Sequence, residues 1–436
     1  MYIPLDNLYH WISSLTPSPA CIYYFYPHGS RILSDVTAYP DFSEHLQRTN
    51  ADRFPVFCHD QEPLNFAHFD KMTWDSFRHE SKTEQFKNTV ERFHYNHVEE
   101  RNLNLVCHGL KSYIFDKTIL VHSEKNSVDV ELYRQNDYVP VHYWCHGIIA
   151  RDWFRFAQVD PRLLNKTEPA YDFLIYSRDW SGSREYRLCF LGLLADNRLT
   201  SHSLCYFNSV SPSNNYHYTE HKFQNVKFYR KLLDTENFIS SRVDSSASAT
   251  YDTNDHTNTA ISVVLETQFD DDKIHLTEKI CRSLACAHPF ILAAGPGSLR
   301  YLKTYGFETF EPWLDESYDQ EVDSGARLEK ITNSMKQFAN LPKTKKSKTL
   351  SALRTIALRN QQRFFSEDFG RQLQNELRLG LMSAFDEASD TMARRWLSRR
   401  RIYKLQCREL GTNDRFCRLE NLLQIIRASR LKKYKS

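Results

Sequence analysis

Glu278 and Lys279 stand side by side behind Thr277, where an apolar-periodic segment begins. A threonine just before a helix caps its first turn, and an acid there meets the positive end of the helix dipole. At the mouth of a sheet such a pair offers a carboxylate to hydroxyl groups and an ammonium to an anion. Arg178 closes the apolar run that starts at Tyr171, and Arg184 falls in the opening turn of the next periodic segment. Both are placed to meet an anionic group beside exposed backbone N–H groups. A cation at a helix amino terminus opposes the dipole, so Arg184 points to function rather than stability. In the string HDQEPL, His59 to Leu64, Asp60 and Glu62 follow another apolar run, and Pro63 stiffens the exit. A carboxylate there can take the proton of an attacking hydroxyl; Glu62 ranks first, Asp60 second, and Glu124 in HSEKNS is a further candidate. His59, His122 and His146 each follow an apolar run; His59 or His122 could orient an acceptor or serve as the base instead. Every one of these residues also has a plainer reading as a cap, a loop start or half of a surface ion pair.

The elements that must position them follow from periodicity. Ile261 to Leu265 reads as a buried strand, Glu278 to Ala287 as a helix, Pro289 to Ala294 as a strand and Ser298 to Tyr305 as a helix. In the amino-terminal part, apolar runs begin at Cys21, Phe54, Leu103, Lys117 and Val139 (the last, VPVHYWC, reaching Cys145), most of them strands separated by helix-length polar segments. That alternation argues for a parallel, doubly wound sheet, and polar residues at strand ends, including His108 and Gly109, face a common crevice. The proline-punctuated text from Ala157 to Ala170 reads as a linker. After it come a strand from Tyr171 to Tyr176, a loop, a helix from about Ser183, and a strand within Ser203 to Ser209. Ser240 to Thr259 reads as a loop, KTKKSK at Lys343 to Lys348 as a solvated loop, and Gly295 to Gly297 as a turn. Asp270 to Asp272 looks like the D-x-D motif that holds a divalent ion, but three aspartates before a lysine read better as a solvated loop.

Composition sets the frame. The chain of 436 residues is long enough for two ordinary domains and an extension. Its ten cysteines show no C-x-x-C and no metal-like spacing, which fits a reduced, cytoplasmic protein. No basic start with an apolar core marks a leader, and no run of eighteen apolar residues marks a transmembrane segment. The net charge of +3 is uneven: Arg394 to Ser436 holds 14 Lys and Arg against 3 Asp and Glu, leaving the rest acidic. Within this tail Leu419, Leu422, Leu423 and Ile426 share one helical face.

The strand-end Glu266, the string HLTEK from His275 to Lys279, the small-residue helix and the strand beginning PFIL together resemble the donor-site signature of α1,3-fucosyltransferases. There the text runs approximately F-E-N-S, Y-V-T-E-K, an alanine-rich helix and V-P-V-V. The chain is also similar to glycosyltransferases found in large phages and viruses, for which the host cytoplasm would be the setting. The match covers about fifty residues; Thr267 and Gln268 replace Asn-Ser, and Leu276 replaces an aromatic or β-branched residue. The resemblance implies a nucleotide-sugar as co-substrate and no other cofactor. It assigns Arg184, with Arg178 nearby, and Lys279 to the donor diphosphate, Glu278 to ribose hydroxyls, and Glu266 to the donor sugar or base. It also implies an inverting transfer that requires no divalent metal.

The expected fold class is therefore α/β, with two Rossmann-like lobes in a GT-B-like arrangement and a helical, basic carboxyl-terminal extension. The expected parts are an acceptor lobe at 1–160, a linker at 161–170, a nucleotide-sugar lobe at 171–325 and the extension at 326–436. The expected activity is sugar transfer to a hydroxyl of a glycan or of a hydroxymethylated DNA base. The basic tail would contact nucleic acid or an anionic membrane surface. The alternative is a nucleic-acid-binding or assembly protein that keeps a degenerate glycosyltransferase fold.

Overall fold

A computed structural model of the chain describes residues 20–24, 54–66, 119–136, 138–164, 168–211, 215–229, 239–240 and 248–410, with scattered positions between 3 and 16. The chain divides into Met1–Phe385, which holds both sheets described below, and Asp386–Ser436. The runs at Leu103 and His108, and the tail face from Leu419 to Ile426, lie outside the described residues.

The fold is mixed α/β with two parallel sheets. The first has the order β1 (Ala20–Tyr24), β2 (Phe54–His59), β3 (Ile119–His122), β4 (Val139–His142). Its register aligns His59 with His122 and His122 with His142, so three imidazoles lie in one row at the carboxyl edge. β4 stops at His142, short of the expected Cys145, because Cys145 is the first residue of helix α2 (Cys145–Trp153). His146 thus belongs to the first turn of a helix. Helix α1 (Val128–Gln135) links β3 to β4. The predicted linker begins inside the 3-10 turn Arg155–Val159 and contains the short helix α3 (Pro161–Leu164).

The second sheet has five parallel strands in the order β7 (Ile239–Ser240), β6 (Ser203–Phe207), β5 (Tyr171–Ser177), β8 (Thr259–Leu265), β9 (Phe290–Ala293). All seven residues of β8 are buried, as a largely apolar strand between two neighbours should be. The chain runs outward one way from β5 through β6 to β7, then returns to β8 on the other side of β5. This reversal opens a crevice beyond the carboxyl ends of β5 and β8. Helix α4 (Tyr186–Asp196) follows β5 after a 3-10 turn at Gly182–Arg184, so Arg184 sits in that turn, just before the α-helix. Helix α5 (Thr253–Asn258) corrects the expectation of a loop there: the Asp252 carboxylate accepts from Asp255 N at 2.9 Å and caps it.

Helix α6 (Glu278–Ala285) joins β8 to β9, α7 (Ser298–Thr304) follows, and three long helices complete the described chain: α8 (Ser324–Ala339), α9 (Lys343–Phe365) and α10 (Glu367–Leu410). The stretch Lys343–Lys348, read as a solvated loop, is the first part of α9. Leu350, Leu353, Ala357 and Phe364 recur at helical spacing and are buried, and the helix extends back from them to Pro342. α8 packs on the second sheet through Phe338 and Phe173, whose ring centroids are 6.0 Å apart.

The expected turn at Gly295–Gly297 is present, with Gly297 at φ 80° heading α7. Gly295 lies so close to the Asp271–Lys273 loop that a Cβ would run into the Lys273 carbonyl oxygen. Gly295→Ala should therefore lower stability by about 1–3 kcal/mol. Urea unfolding checks this as a reduced midpoint with an unchanged slope.

Candidate active site

Between the carboxyl edges of the two sheets lies a cavity of about 350 Å³. Of the eleven residues expected at a site, six line it: Glu62 and His146 from the first half, and Arg178, Arg184, Glu278 and Lys279 from the second. Asp60, His59, His122, Glu124 and Glu266 do not. With Arg187, Arg282, Asp179, Asp252 and Asp255, the wall holds five cationic and five carboxylate side chains.

One wall is rich in arginine. Arg187 is buried and committed to structure, donating to the carbonyls of Asp179 (2.6 Å), Leu265 (2.7 Å) and Glu266 (3.0 Å). It thereby ties the end of β8 to the loop after β5. Arg184 is freer: its Nη1 lies 3.7 Å from Asp179 Oδ2, and its side chain is 29% exposed. Burial and Arg187 pull its proton affinity down, Glu62 and Asp179 push it back up, and Arg178 lowers it again. Arg178 has a buried Nη1 without a hydrogen-bond partner. A guanidinium nitrogen withheld from both water and protein costs free energy until an anion meets it.

The opposite wall is built on the start of α6. Glu266 is fully buried beneath the cavity rather than on its surface; its carboxylate accepts from Thr277 N (3.0 Å) and Thr277 Oγ1 (2.6 Å). The Thr277 oxygen in turn faces Lys279 N at 3.5 Å and Lys279 Nζ at 2.9 Å, so the predicted cap also aims the lysine. Burial pushes the Glu266 carboxyl up, against the pull of Lys279 and the Thr277 bonds. At Glu278, burial also opposes ionisation, but Lys279, His146 and Arg282 outweigh it and hold the carboxyl well below the usual carboxylate range. Glu278 Oε1 is 3.1 Å from Lys279 Nζ, and its Oε2 is 3.7 Å from His146 Nε2. It is a fixed anion, suited to accepting hydrogen bonds from hydroxyls.

On the first-sheet side, Glu62 is the carboxylate that reaches the cavity. Asp60 is buried and accepts a 2.5 Å hydrogen bond from Tyr143 OH, which turns it into the sheet. Glu124 is buried as well, its Oε1 accepting from Leu64 N at 2.6 Å. It fastens the loop that carries Glu62 and so positions that residue from behind. His122 lies behind the cavity, its Nδ1 accepting from Glu124 N at 3.3 Å. Burial first, then His142, Lys125, His59 and His275, holds the His122 imidazole well below its ordinary value, so it is neutral. His59, in register beside it, is buried too.

Several lining residues escaped sequence reading. Tyr176 and Tyr206 are register partners whose rings stack at 5.4 Å, and both hydroxyls donate to Asp255, at 2.6 and 2.9 Å. Arg282 lies 5.4 Å above the Tyr176 ring and donates to the Ser248 carbonyl at 3.1 Å. Trp153 adds an indole. The available signal was Asp252, a capping residue before a helical turn, and two tyrosines one residue short of their strand ends. Asp270 is occupied by Asn225 and by Ser324 Oγ at 2.5 Å. Among the described residues, no group of three or more His, Cys, Asp or Glu is arranged to hold a metal ion.

Burial raises the Glu124 carboxyl to about 7. A carboxyl whose affinity for protons is higher folded than unfolded loses stability as pH rises from the unfolded value, near 4.3, through the folded one. Glu124→Gln should match the parent at about pH 4 and below and become progressively the more stable of the two by about pH 8; equal melting temperatures throughout would contradict this assignment. The chain matches no protein family, no curated protein and no solved structure.

Proposed function

We propose that the protein is a glycosyltransferase that moves a sugar from a nucleotide-sugar to an acceptor hydroxyl, using two Rossmann-like lobes in a GT-B-like arrangement. The observation that carries this reading is the partnerless buried Arg178 nitrogen on a cavity wall shared with Arg184 and Lys279. A diphosphate supplies acceptor oxygens for that nitrogen and an anion for the cations beside it. The crevice at the strand-order reversal of the second sheet, and the resemblance of Glu266 to Leu292 to the α1,3-fucosyltransferase signature, support the same conclusion.

In this reading Glu278 accepts from ribose hydroxyls and Glu62 takes the proton of the acceptor hydroxyl. The acceptor oxygen forms its bond to the anomeric carbon as the carbon–oxygen bond to the diphosphate breaks. The departing oxygen keeps the electron pair, and Arg178, Arg184 and Lys279 stabilise its charge. The acceptor is a glycan or a hydroxymethylated DNA base.

A panel of nucleotide-sugars tested by thermal shift is the direct experiment. One donor should raise the melting temperature, the gain approaching about 2.7 kcal/mol at one hundred times Kd, and Arg184→Ala with Lys279→Ala should abolish it. No shift with any donor, alongside salt-sensitive DNA binding, would select the nucleic-acid-binding reading instead. With a donor in hand, Glu62→Gln should keep the thermal shift and lower kcat by about 10²- to 10⁴-fold.

A further inference from the structure

The end of the second sheet away from the cavity carries a different chemistry. α9 opens with Lys343, Lys345, Lys346 and Lys348 and has no acidic residue along its whole length. Ammonium groups in the first turns of a helix oppose its dipole, so this clustering costs helix stability. Lys346 is offset locally: its Nζ lies 3.0 Å from both Asp172 carboxylate oxygens. Lys343, Lys345 and Lys348 are exposed.

Beside these lysines runs a groove of about 540 Å³ that brings Leu163, Leu164 and Leu358 together with Lys343 and Arg354. Leu164 is 47% exposed and Leu358 39%. The turn Arg155–Val159 is tied to the same helix by Gln361 Nε2, which donates to the Ala157 carbonyl at 3.3 Å. That turn exposes Phe156 (61%) and Val159 (68%), with the Arg155 guanidinium 4.6 Å above the Phe156 ring. Of the nearby acids, Asp152 faces Arg155, Asp160 faces Arg162 and Asp172 faces Lys346, while Glu168 is exposed on the groove. The three exposed lysines leave the face cationic.

We propose that this face, made by α9 from Lys343 to Leu358, α3 and the Arg155–Val159 turn, docks the protein on a bilayer containing anionic phospholipid. Exposed alkyl and aromatic side chains interleaved with lysine and arginine suit the headgroup boundary, where apolar groups enter and cations meet lipid phosphate. Contact with a nucleic-acid backbone uses the cations and gives Phe156, Val159, Leu164 and Leu358 nothing to bury against. Asp172 and Ala260 place the groove at the amino-terminal ends of β5 and β8. The cavity opens at their carboxyl ends, so docking leaves its mouth unobstructed. The inference is independent of the sugar-transfer reading.

The test is co-sedimentation of the full chain at 0.15 M salt with vesicles of phosphatidylcholine alone or mixed with phosphatidylglycerol, beside titration of a duplex oligonucleotide. Binding should require phosphatidylglycerol. The Lys343→Ala, Lys345→Ala, Lys348→Ala variant should bind about fivefold more weakly for each lysine removed. Phe156→Ser with Leu164→Ser should weaken vesicle binding and leave any DNA binding unchanged. Lysine-to-glutamine versions and a melting curve guard against a folding defect. The basic carboxyl-terminal segment is present in every variant, so unchanged vesicle binding by the lysine variants would assign the attraction to that segment and overturn the proposal. Equal binding to neutral vesicles, or loss of DNA binding alone, would overturn it too.

Discussion

Trp144 joins the two halves of the molecule. It follows the last strand of the first sheet, yet its ring is fully buried against Tyr301, Tyr305, Phe307 and Phe369, all from the far side of the chain. Its indole N–H donates to the Leu276 carbonyl at 2.8 Å, one residue before the cap of α6. Removing a buried tryptophan costs about 3–5 kcal/mol, and here the loss would also remove one of the ties between the first sheet and the start of α6. Two smaller ties lie beside it. Lys125 and Ile274 exchange backbone hydrogen bonds at 3.0 Å, and Lys273 Nζ meets Asp129 at 2.5 Å. Because both sheets are parallel, fixing one contact near their carboxyl edges brings every strand-end loop toward the same space.

That space is polar because the protein leaves some charges incompletely matched while satisfying others. Arg187 spends itself on three carbonyls and Glu266 on one threonine; both are scaffold. Glu278 stays ionised under burial only because Lys279, His146 and Arg282 surround it. The same logic separates three carboxylates that look alike in the sequence. Asp60 is bound by Tyr143, Glu124 is occupied with Leu64 N, and Glu62 reaches the cavity.

The sequence made the scaffold legible where one physical signal dominates. The buried run of β8 and the Thr277 cap with Lys279 behind it could be read directly, whereas Arg184 lies in a 3-10 turn just before the helix it was expected to open. Long-range matters could not. Nothing near Asp60 announces that a tyrosine 83 positions away will claim it. The stretch Lys343–Lys348 reads as solvent-loving because four of its six residues are lysine, whereas the helix it belongs to is decided by Leu350, Leu353, Ala357 and Phe364 further along. The Tyr176, Tyr206 and Asp255 floor depends on strand register, and a polar stretch without periodicity hid Asp255 in an apparent loop.

The equal count of cationic and carboxylate side chains around the cavity has a kinetic meaning. Seen from beyond a Debye length, roughly 8 Å at physiological salt, balanced charges cancel and exert little pull on an approaching anion. Attraction begins only at the mouth, where Arg178, Arg184 and Lys279 are no longer averaged with Asp252 and Asp255. The cavity's own charges should then add little steering to encounter, and any dependence on ionic strength comes from charge elsewhere on the protein. Differences in residence time, rather than in capture, would distinguish one charged ligand from another.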